Sequence, residues 1–579
     1  VAGQVPLIIL LRALGMESQD IMDNIVSYPE TEVFVLSNIE ESQEEYEVTD
    51  QEEALEYFGR KVAGGQAKEY RRERALSLMD RNLLPHLGNQ PDDRIKKAVF
   101  LARMAQAVLE LALGHREEDD KDHYANKRLK LAGDLMEDLF RVAFIALCKD
   151  MKYQLERLHA RGKNLDDLSV KPCVRTDVFT QRIHHALATG NWVGGRTGVS
   201  QLLDRTSNLA TISHLRRITS PLTRTQPHFE ARDLHSTHWG RLCPNETPEG
   251  PNCGLVKNLA MTVEVSEGYP EQAVKEELED MGLGEVQKEA KSARVYLNGE
   301  LVGMYPDGQE LADKVRARRR NGKLDIEINV AYYPDGNDVF LNCDPGRVRR
   351  PLFVIENGEP TLTDEQMEQL QNGELSWIDL INLGVVEYLD TEEEENAYIA
   401  LHREDLTEQH THMELDPMCI LGIGASLVPY AEHNSSPRIT MGASMGKQSL
   451  GFGSANYRKR PDTRGHLLHY PERPMVETHS SQYINFSERP AGMNFVVAIL
   501  SYKGYNMEDA LIMNQASIQR GLGRSTFFRA YSAEEQRYPG GQEDHFEIPD
   551  PECRGVRSEE AYANLSEDGI ISPESTVDS

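Results

Sequence analysis

The sequence predicts a multidomain α/β (α+β) protein, helical toward its N-terminal end and rich in antiparallel sheet through its middle. Three observations carry this. The 579 residues exceed the length at which one hydrophobic core keeps growing, so several domains are expected. The first 170 residues place apolar side chains mostly at helical spacing. From about 266 to 440 the chain turns to short β-branched and aromatic runs separated by Asn-Gly and Asp-Gly, the dipeptides that favour hairpin turns.

Taken in order, "VPLIILLRALG" near the start is too short to span a membrane and carries Arg12, so it reads as a core helix. "DDRIKKAVFLARMAQAVLELALGH" predicts a helix with Asp93 as its cap and Gly114 as its stop. A longer helix is predicted from about 126 to 161. Residues 171 to 265 mix short helices with loops punctuated by Gly and Pro. "ARVYLNGELVGMYPDG" and "DIEINVAYYPDGNDVFLNCDPGRVRRPLFVIENGE" predict hairpins. The four glutamates of "LDTEEEENAYIAL" predict a solvated helix start without chemistry. "NFVVAILSY", 494 to 502, predicts a buried strand, and Gly504 and Asn506 predict the turn that ends it. The tail to Ser579 is polar, and no internal repeat or low-complexity tract is present.

The composition, 39% hydrophobic and 27% charged, fits a soluble globular protein and excludes a disordered one. No apolar run reaches the roughly 20 residues of a membrane helix, which predicts no membrane partner. The chain begins without Met and without a basic leader, so a cut or processed cytoplasmic chain is expected. Seven cysteines (148, 173, 243, 253, 343, 419 and 553) form no Cys-x-x-Cys pair, which predicts buried thiols with neither a zinc site nor a disulfide framework. His235 and His238 lack a thiol or carboxylate spaced to complete a metal site and read as structural.

The net charge of −31 argues at first against nucleic acid. Its distribution argues otherwise. Between Arg182 and Lys257 nine basic residues stand against five acidic ones, and a second basic stretch, "YRKRPDTRGHLLHYPERP", runs from 457 to 474. Basic islands in an acidic chain predict a polyanion groove beneath an exterior adapted to a salt-rich cytoplasm.

In "GYNMEDALIMN" (504 to 514) an acidic pair, Glu508 and Asp509, follows the turn that ends the predicted strand. Two readings are open from the residues alone. Carboxylates at a strand end suit Mg²⁺, a hard cation that takes one or two of them and completes its shell with water and phosphate. Acidic residues that open a helix simply favour its dipole.

"GVSQLLDRTSNLATISHLRRITSP" (198 to 221) followed by "RDLHSTHWGRLCPNETPEGPNCGLVKNLA" (232 to 260) resembles the fork region of the second-largest subunit of multisubunit RNA polymerases. "DDKDHYANKRLKLAGDLMEDLF" (119 to 140), "HNSSPRITMGASMGKQSLG" (433 to 451) and "GYNMEDALIMNQASIQRGL" join it in the family's order. "WGRLCPNETPEG" and "MGKQ" are closer to the archaeal and eukaryotic branch, and the acidic balance points to a halophilic archaeon.

The resemblance implies a layout: a helical lobe over 1–155, the second part of a protrusion over 156–185, a mixed fork over 186–265, β-rich external domains over 266–356 and 357–440, the first part of a hybrid-binding domain over 441–530, and the start of a wall over 531–579. It implies a subunit of DNA-directed RNA polymerase, a nucleotidyltransferase that is inactive alone. Its partners would be the largest subunit, the complementary C-terminal part of the same subunit, the other polymerase subunits, template DNA, the RNA transcript and NTPs. Relatives extend further at both ends, so a fragment or one product of a split or interrupted gene is expected.

The resemblance also implies site residues. Glu508 and Asp509 match the pair facing the second, nucleotide-borne Mg²⁺, partly through water, at a site shared with the largest subunit. Arg438 matches an arginine that reaches the triphosphate, although Ile439 follows it where relatives carry Asn. Lys447 and Gln448 match residues near the RNA 3′ end. Arg216, Arg217, Arg224 and Arg232 lie in the DNA-facing fork, whose tip is less basic than in relatives because Pro227, His228 and Glu230 occupy it. Glu246 and Glu249 of "CPNETPEG" read equally as loop scaffold or as contacts. Two rivals stand beside this reading: a stand-alone Mg²⁺-dependent phosphohydrolase or nuclease, and a non-catalytic assembly scaffold.

Overall fold

The computed structural model describes residues 4–161, 170–284, 292–451, 453–454 and 456–577. Residues 162–169, within the predicted protrusion segment, and 285–291, within the first external domain, lie outside the described residues. The chain divides between Lys121 and Asp122 into two units.

The first unit is helical throughout. The Leu7–Ala13 helix is a core helix, as its sequence predicts: Ile9 and Leu11 are fully buried beside Ile21, Ala54 and Ala98. Arg12 is buried too, and its guanidinium donates to the Val48 carbonyl and, at 3.1 Å, to Ser18 Oγ. Asp50 caps the Gln51–Ala63 helix by accepting from the Glu53 amide at 2.9 Å. The Arg94–Leu113 helix stops at Gly114, in left-handed geometry at φ 79°. Its start corrects the expectation: Asp93 closes a short Pro91–Asp93 turn and accepts from the Gln90 amide at 3.1 Å instead of capping the helix.

In the second unit the Ala132–Ala160 helix begins later than predicted. Asn126 closes a turn by donating its amide to the His123 carbonyl at 3.0 Å, and residues 127–131 form no regular element, the Leu129 amide donating to the Gly346 carbonyl at 2.8 Å. The long helix packs on Thr176–Thr189 around Leu139, Ala186 and Trp192.

The sheet-rich middle forms as the turn signals predict. One four-stranded sheet runs Glu300–Tyr305, Ala293–Leu297, Asp338–Asn342, Asn329–Tyr333 in spatial order. Its Asn298-Gly299 turn has positive φ at both residues, as a tight hairpin needs. The Gly308–Arg320 helix covers this sheet with Leu311 and Val315. A second sheet is built on Val348–Glu356, flanked by Val386–Leu389 and His412–Met413.

The glutamate run overturns its sequence reading. Thr391–Glu395 is a helix, capped by Asp390, yet Glu393 is 2% exposed. Arg319 grips Glu393 with two 2.8 Å bonds and reaches Glu387 at 3.1 Å; Arg350 binds Glu394 at 2.7 Å and Glu414 at 2.6 Å. Arg241, from the predicted fork, pairs with Glu394. Through Glu393 and Glu394 the run is a largely buried ionic joint between the Arg241 loop and both sheets. Arginine comes from distant segments, so spacing within the run could not announce it.

Two further expectations are corrected. Cys148, Cys253 and Cys553 are exposed, while Cys173, Cys243 and Cys343 are buried. Residues 494–502 form no strand: Val496, Val497 and Ile499 are exposed. The apolar run has the composition of a buried strand, but a strand also needs a hydrogen-bonded neighbour, and the described residues supply none. Among the described residues no helix is long and apolar enough to cross a membrane.

Candidate nucleic-acid and nucleotide site

The segment predicted as a fork folds around a short antiparallel pair, Arg217–Thr219 with Val256–Asn258, in which Arg217 stands opposite Asn258. The Asn208–Leu215 helix leads into it, capped by Ser207 Oγ accepting from the Ala210 amide at 3.1 Å. The Ser436–Gly446 helix docks on the "NETPEG" loop through Asn245: Ser436 Oγ donates to Asn245 Oδ1 at 2.6 Å and Thr440 Oγ1 to the Asn245 carbonyl at 2.5 Å. Between these elements lies an open cleft of about 260 Å³. Arg217, Lys447, Gln448, Asp204, Thr206, Thr247 and Asn258 line it. The fold thus brings three of the predicted residues, Arg217, Lys447 and Gln448, to one cavity. Asp204, Thr206, Thr247 and Asn258 are additions; they lie in the quoted motifs, but uncharged or singly charged positions carried no signal of their own.

The four fork arginines divide. Arg216 donates to the Ala260 and Met261 carbonyls at 2.5 and 3.2 Å, and burial lowers its pKa. Arg224 holds the Ser220 and Leu222 carbonyls and Asn252 Oδ1. Arg232 clamps the Pro227, Pro251 and Cys253 carbonyls at 2.6 to 2.8 Å. These three guanidinium groups shape the loop. Arg217 is exposed, and its guanidinium makes no hydrogen bond or ion pair among the described residues.

Arg438 is exposed on the first turn of its helix, its guanidinium near Met441 Sδ at 3.7 Å. Ile439 faces the other way, 6% exposed in a small core with Cys243, Ala425 and Ala443. An apolar residue there anchors the helix and leaves Arg438 outward. His238 is buried, and desolvation lowers its pKa to about 3, so it is neutral and structural.

Glu508 and Asp509 lie in an exposed loop with φ 56° and 63°. Asn506 clamps the preceding turn, accepting from the Tyr502 amide at 2.9 Å and donating to the Leu500 carbonyl at 2.5 Å. The next helix, Gln515–Gln519, starts later and has its own cap, Asn514, which accepts from the Ser517 amide at 3.0 Å. The pair therefore does not open a helix, and the dipole reading falls. Both carboxylates face solvent with no hydrogen bond or ion pair among the described residues, and their oxygens are of the hard type that Mg²⁺ prefers. Among the described residues no group of three or more His, Cys, Asp or Glu is placed to hold a metal.

Residues 1–130, 201–265, 295–356, 377–418 and 424–579 match the families described as RNA polymerase Rpb2 domains 2, 3, 4, 5 and 6. Over its whole length the chain is 52% identical to DNA-directed RNA polymerase subunit Rpo2 of Saccharolobus shibatae and 51% identical to that of Sulfolobus acidocaldarius. It is 37% identical, again over its whole length, to DNA-directed RNA polymerase II subunit RPB2 of Encephalitozoon cuniculi. It covers 52% of each of these proteins, so the chain spans about half the length of the curated relatives it matches. With five Rpb2 domains in order and half of its residues identical to an archaeal Rpo2, the chain belongs to the family of second-largest subunits of DNA-directed RNA polymerase.

Proposed function

We propose that this chain works within a multisubunit DNA-directed RNA polymerase, where it helps form the cleft for the DNA–RNA hybrid and position the incoming nucleotide. The end-to-end identity to Rpo2 subunits carries the reading. It leaves the stand-alone phosphohydrolase or nuclease without support. The layout from lobe to wall, with the boundaries given above, belongs to this proposal, as do the partners: the largest subunit, the remaining part of this subunit, the other subunits, template, transcript and NTPs. A cytoplasmic location goes with it.

In this reading Arg438 places a guanidinium fork on triphosphate oxygens. Lys447 and Gln448 face the RNA 3′ end from the cleft, and Arg217 is the fork cation free to meet DNA phosphate. Arg216, Arg224 and Arg232 support it by holding the fork loop in shape. Glu508 and Asp509 would hold Mg²⁺ brought with the nucleotide, partly through water. When bound, that ion neutralises charge on the triphosphate oxygens. Positive φ at two consecutive non-glycine residues supports a functional loop, since such backbone is retained where it aims side chains.

The test is single-nucleotide addition on a preformed RNA–DNA scaffold by the assembled polymerase. Asp509→Ala should slow addition about 30- to 1,000-fold, the equivalent of losing one preorganised electrostatic contact, with the defect shrinking as Mg²⁺ rises. Equal rates at every Mg²⁺ concentration refute the assignment. The isolated chain should extend no primer.

The net charge of −31 supports a halophilic origin as part of the same proposal. Exposed like charges repel over roughly 30 Å at 0.01 M salt and about 3 Å at 1 M, so the melting temperature should rise with KCl. A melting temperature indifferent to KCl over that range removes the halophilic reading alone.

A further inference from the structure

Glu246, in the "NETPEG" loop, is 2% exposed. One of its oxygens, Oε1, accepts from Ser213 Oγ at 3.0 Å and stands in an ion pair with Lys447 Nζ at 2.5 Å. The other, Oε2, is buried with no hydrogen-bond partner. The loop backbone is fixed around it: the Glu246 carbonyl accepts from Asn258 Nδ2 at 2.9 Å, and its amide points to Cys243 Sγ at 3.3 Å.

The cradle admits the carboxylate only because two neighbours lack side chains. A Cβ on Gly422 would overlap Oε2, and one on Gly424 would stand 2.8 Å from Oε1 and 3.3 Å from Lys447 Cε. A carboxylate is costly to bury without a full set of partners. A scaffold role would be served by backbone donors or by a buried arginine, as in the joint around Glu393. Glu246 does feel the charge of the largely buried Arg216, whose guanidinium is held by the Ala260 and Met261 carbonyls, but the cation it pairs with opens onto the cleft: Lys447 lines the cavity and its side chain is 15% exposed. An ammonium has three donors, and an ion pair with a single carboxylate oxygen leaves donors over for an anion in the cleft.

We propose that Glu246 is a positioning residue for nucleotide addition, holding the Lys447 ammonium at the cleft wall so that its remaining donors meet phosphate oxygens of the RNA. This rests on the reading of Lys447 given under the proposed function. Lysine reaches through a flexible four-carbon stem, and pairing its ammonium with a rigid carboxylate removes that freedom before the RNA arrives. Glu246 itself touches no reactant.

A double-mutant cycle in the assembled polymerase tests it, read as the maximal rate of single-nucleotide addition and the KM for NTP. Glu246→Gln should lower the maximal rate roughly tenfold with KM little changed, because the lost interaction is with RNA and not with the NTP. Lys447→Met should lower it at least as much. Glu246→Gln in the Lys447→Met background should then cost nothing further. Independent, multiplying losses would show a scaffold and overturn the inference while leaving Lys447 in its role. A Lys447→Met enzyme at full rate would overturn the role of Lys447 and this inference with it.

Gly424→Ala keeps both charges and pushes the pair apart, which guards against a Glu246 variant that fails to assemble. It should reproduce the rate loss when Lys447 is present and have no effect in the Lys447→Met background. A wild-type rate for Gly424→Ala overturns the inference.

Discussion

Two acidic runs of this chain, Glu392–Glu395 and Glu508–Asp509, are nearly alike on paper and opposite in the fold. Every glutamate of the first has a partner: Asn342 donates to Glu392, Arg319 to Glu393 and Arg350 to Glu394, and His123 meets Glu395 at 2.6 Å. Neither carboxylate of the second has a hydrogen bond or ion pair among the described residues, and both are exposed. The first run holds the Arg241 loop against two sheets; the second faces solvent. Charge density alone does not separate structure from chemistry. What separates them is where the arginines sit, and Arg319, Arg350 and Arg241 come from segments far away in sequence.

The comparison breaks most visibly at Glu393. Arg319 and Glu393 are each 3% exposed along their side chains, so Glu393→Ala leaves a buried guanidinium with Glu387 as its remaining carboxylate. Removing one partner of such a pair costs about 3–5 kcal/mol. Thermal or denaturant unfolding of the chain should register that loss. A loss under about 1 kcal/mol would show the run to be as dispensable as a surface charge. Replacing Arg319 and Glu393 together by apolar residues of similar volume should cost much less than either single change.

A middle-sized effect separates Glu392 from its neighbours. Burial pushes its carboxyl up to about 7, with Asp390 and Glu395 adding to the shift and the Asn342 hydrogen bond and Arg128 opposing it. For Glu393, burial also pushes up, but Arg319 and Arg316 reverse it and the pKa ends lowered. The signs follow. Lowered carboxyls such as Glu393 add stability above the unfolded carboxylate pKa and lose it as pH falls through their folded value. Glu392 acts in the opposite sense: the folded chain holds a proton that the unfolded chain has released, so stability falls as pH rises from about 4.5 to about 7 and is level above. Glu392→Gln keeps an acceptor for Asn342 and should stabilise by about 1–3 kcal/mol above pH 7, with the gain fading toward pH 4.5. A gain equal at both pH values would remove the assignment of the buried proton to Glu392.

Much of this was legible in sequence where the signal is local. Asn298-Gly299 made its hairpin, Gly114 ended its helix, and the long motifs identified the family. Local signals failed where a second segment decided the outcome. Residues 494–502 have a buried strand's composition without a neighbour among the described residues. Asp93 was outbid by the Pro91 turn, and residues 126–131 stay out of their predicted helix, with the Leu129 amide donating to the Gly346 carbonyl. At the candidate site, motifs single out Lys447, Gln448 and Arg217, and all three line one cleft. The Glu246 tether was visible only as an even choice between scaffold and contact. Its geometry depends on glycines at 422 and 424, about 180 residues away in sequence.

The smallest expected effect tests what the second run gives up for its exposure. Glu508 at φ 56° and Asp509 at φ 63° hold left-handed backbone that costs an ordinary L-residue roughly 1–2 kcal/mol. Glycine adopts it freely but loses about 0.5–1 kcal/mol of extra chain entropy on folding. Glu508→Gly should therefore stabilise the chain by only about 0.5 kcal/mol, read as a small rise in the denaturant midpoint. The same variant should slow nucleotide addition in the assembled polymerase, because it deletes a carboxylate from the proposed Mg²⁺ site. Stability and rate would then move in opposite directions, as expected where strain is kept to aim a side chain. In the Glu392–Glu395 run, where the carboxylates serve the fold, Glu393→Ala should instead lower stability directly. A Glu508→Gly chain that is both less stable and fully active would place the second run with the first.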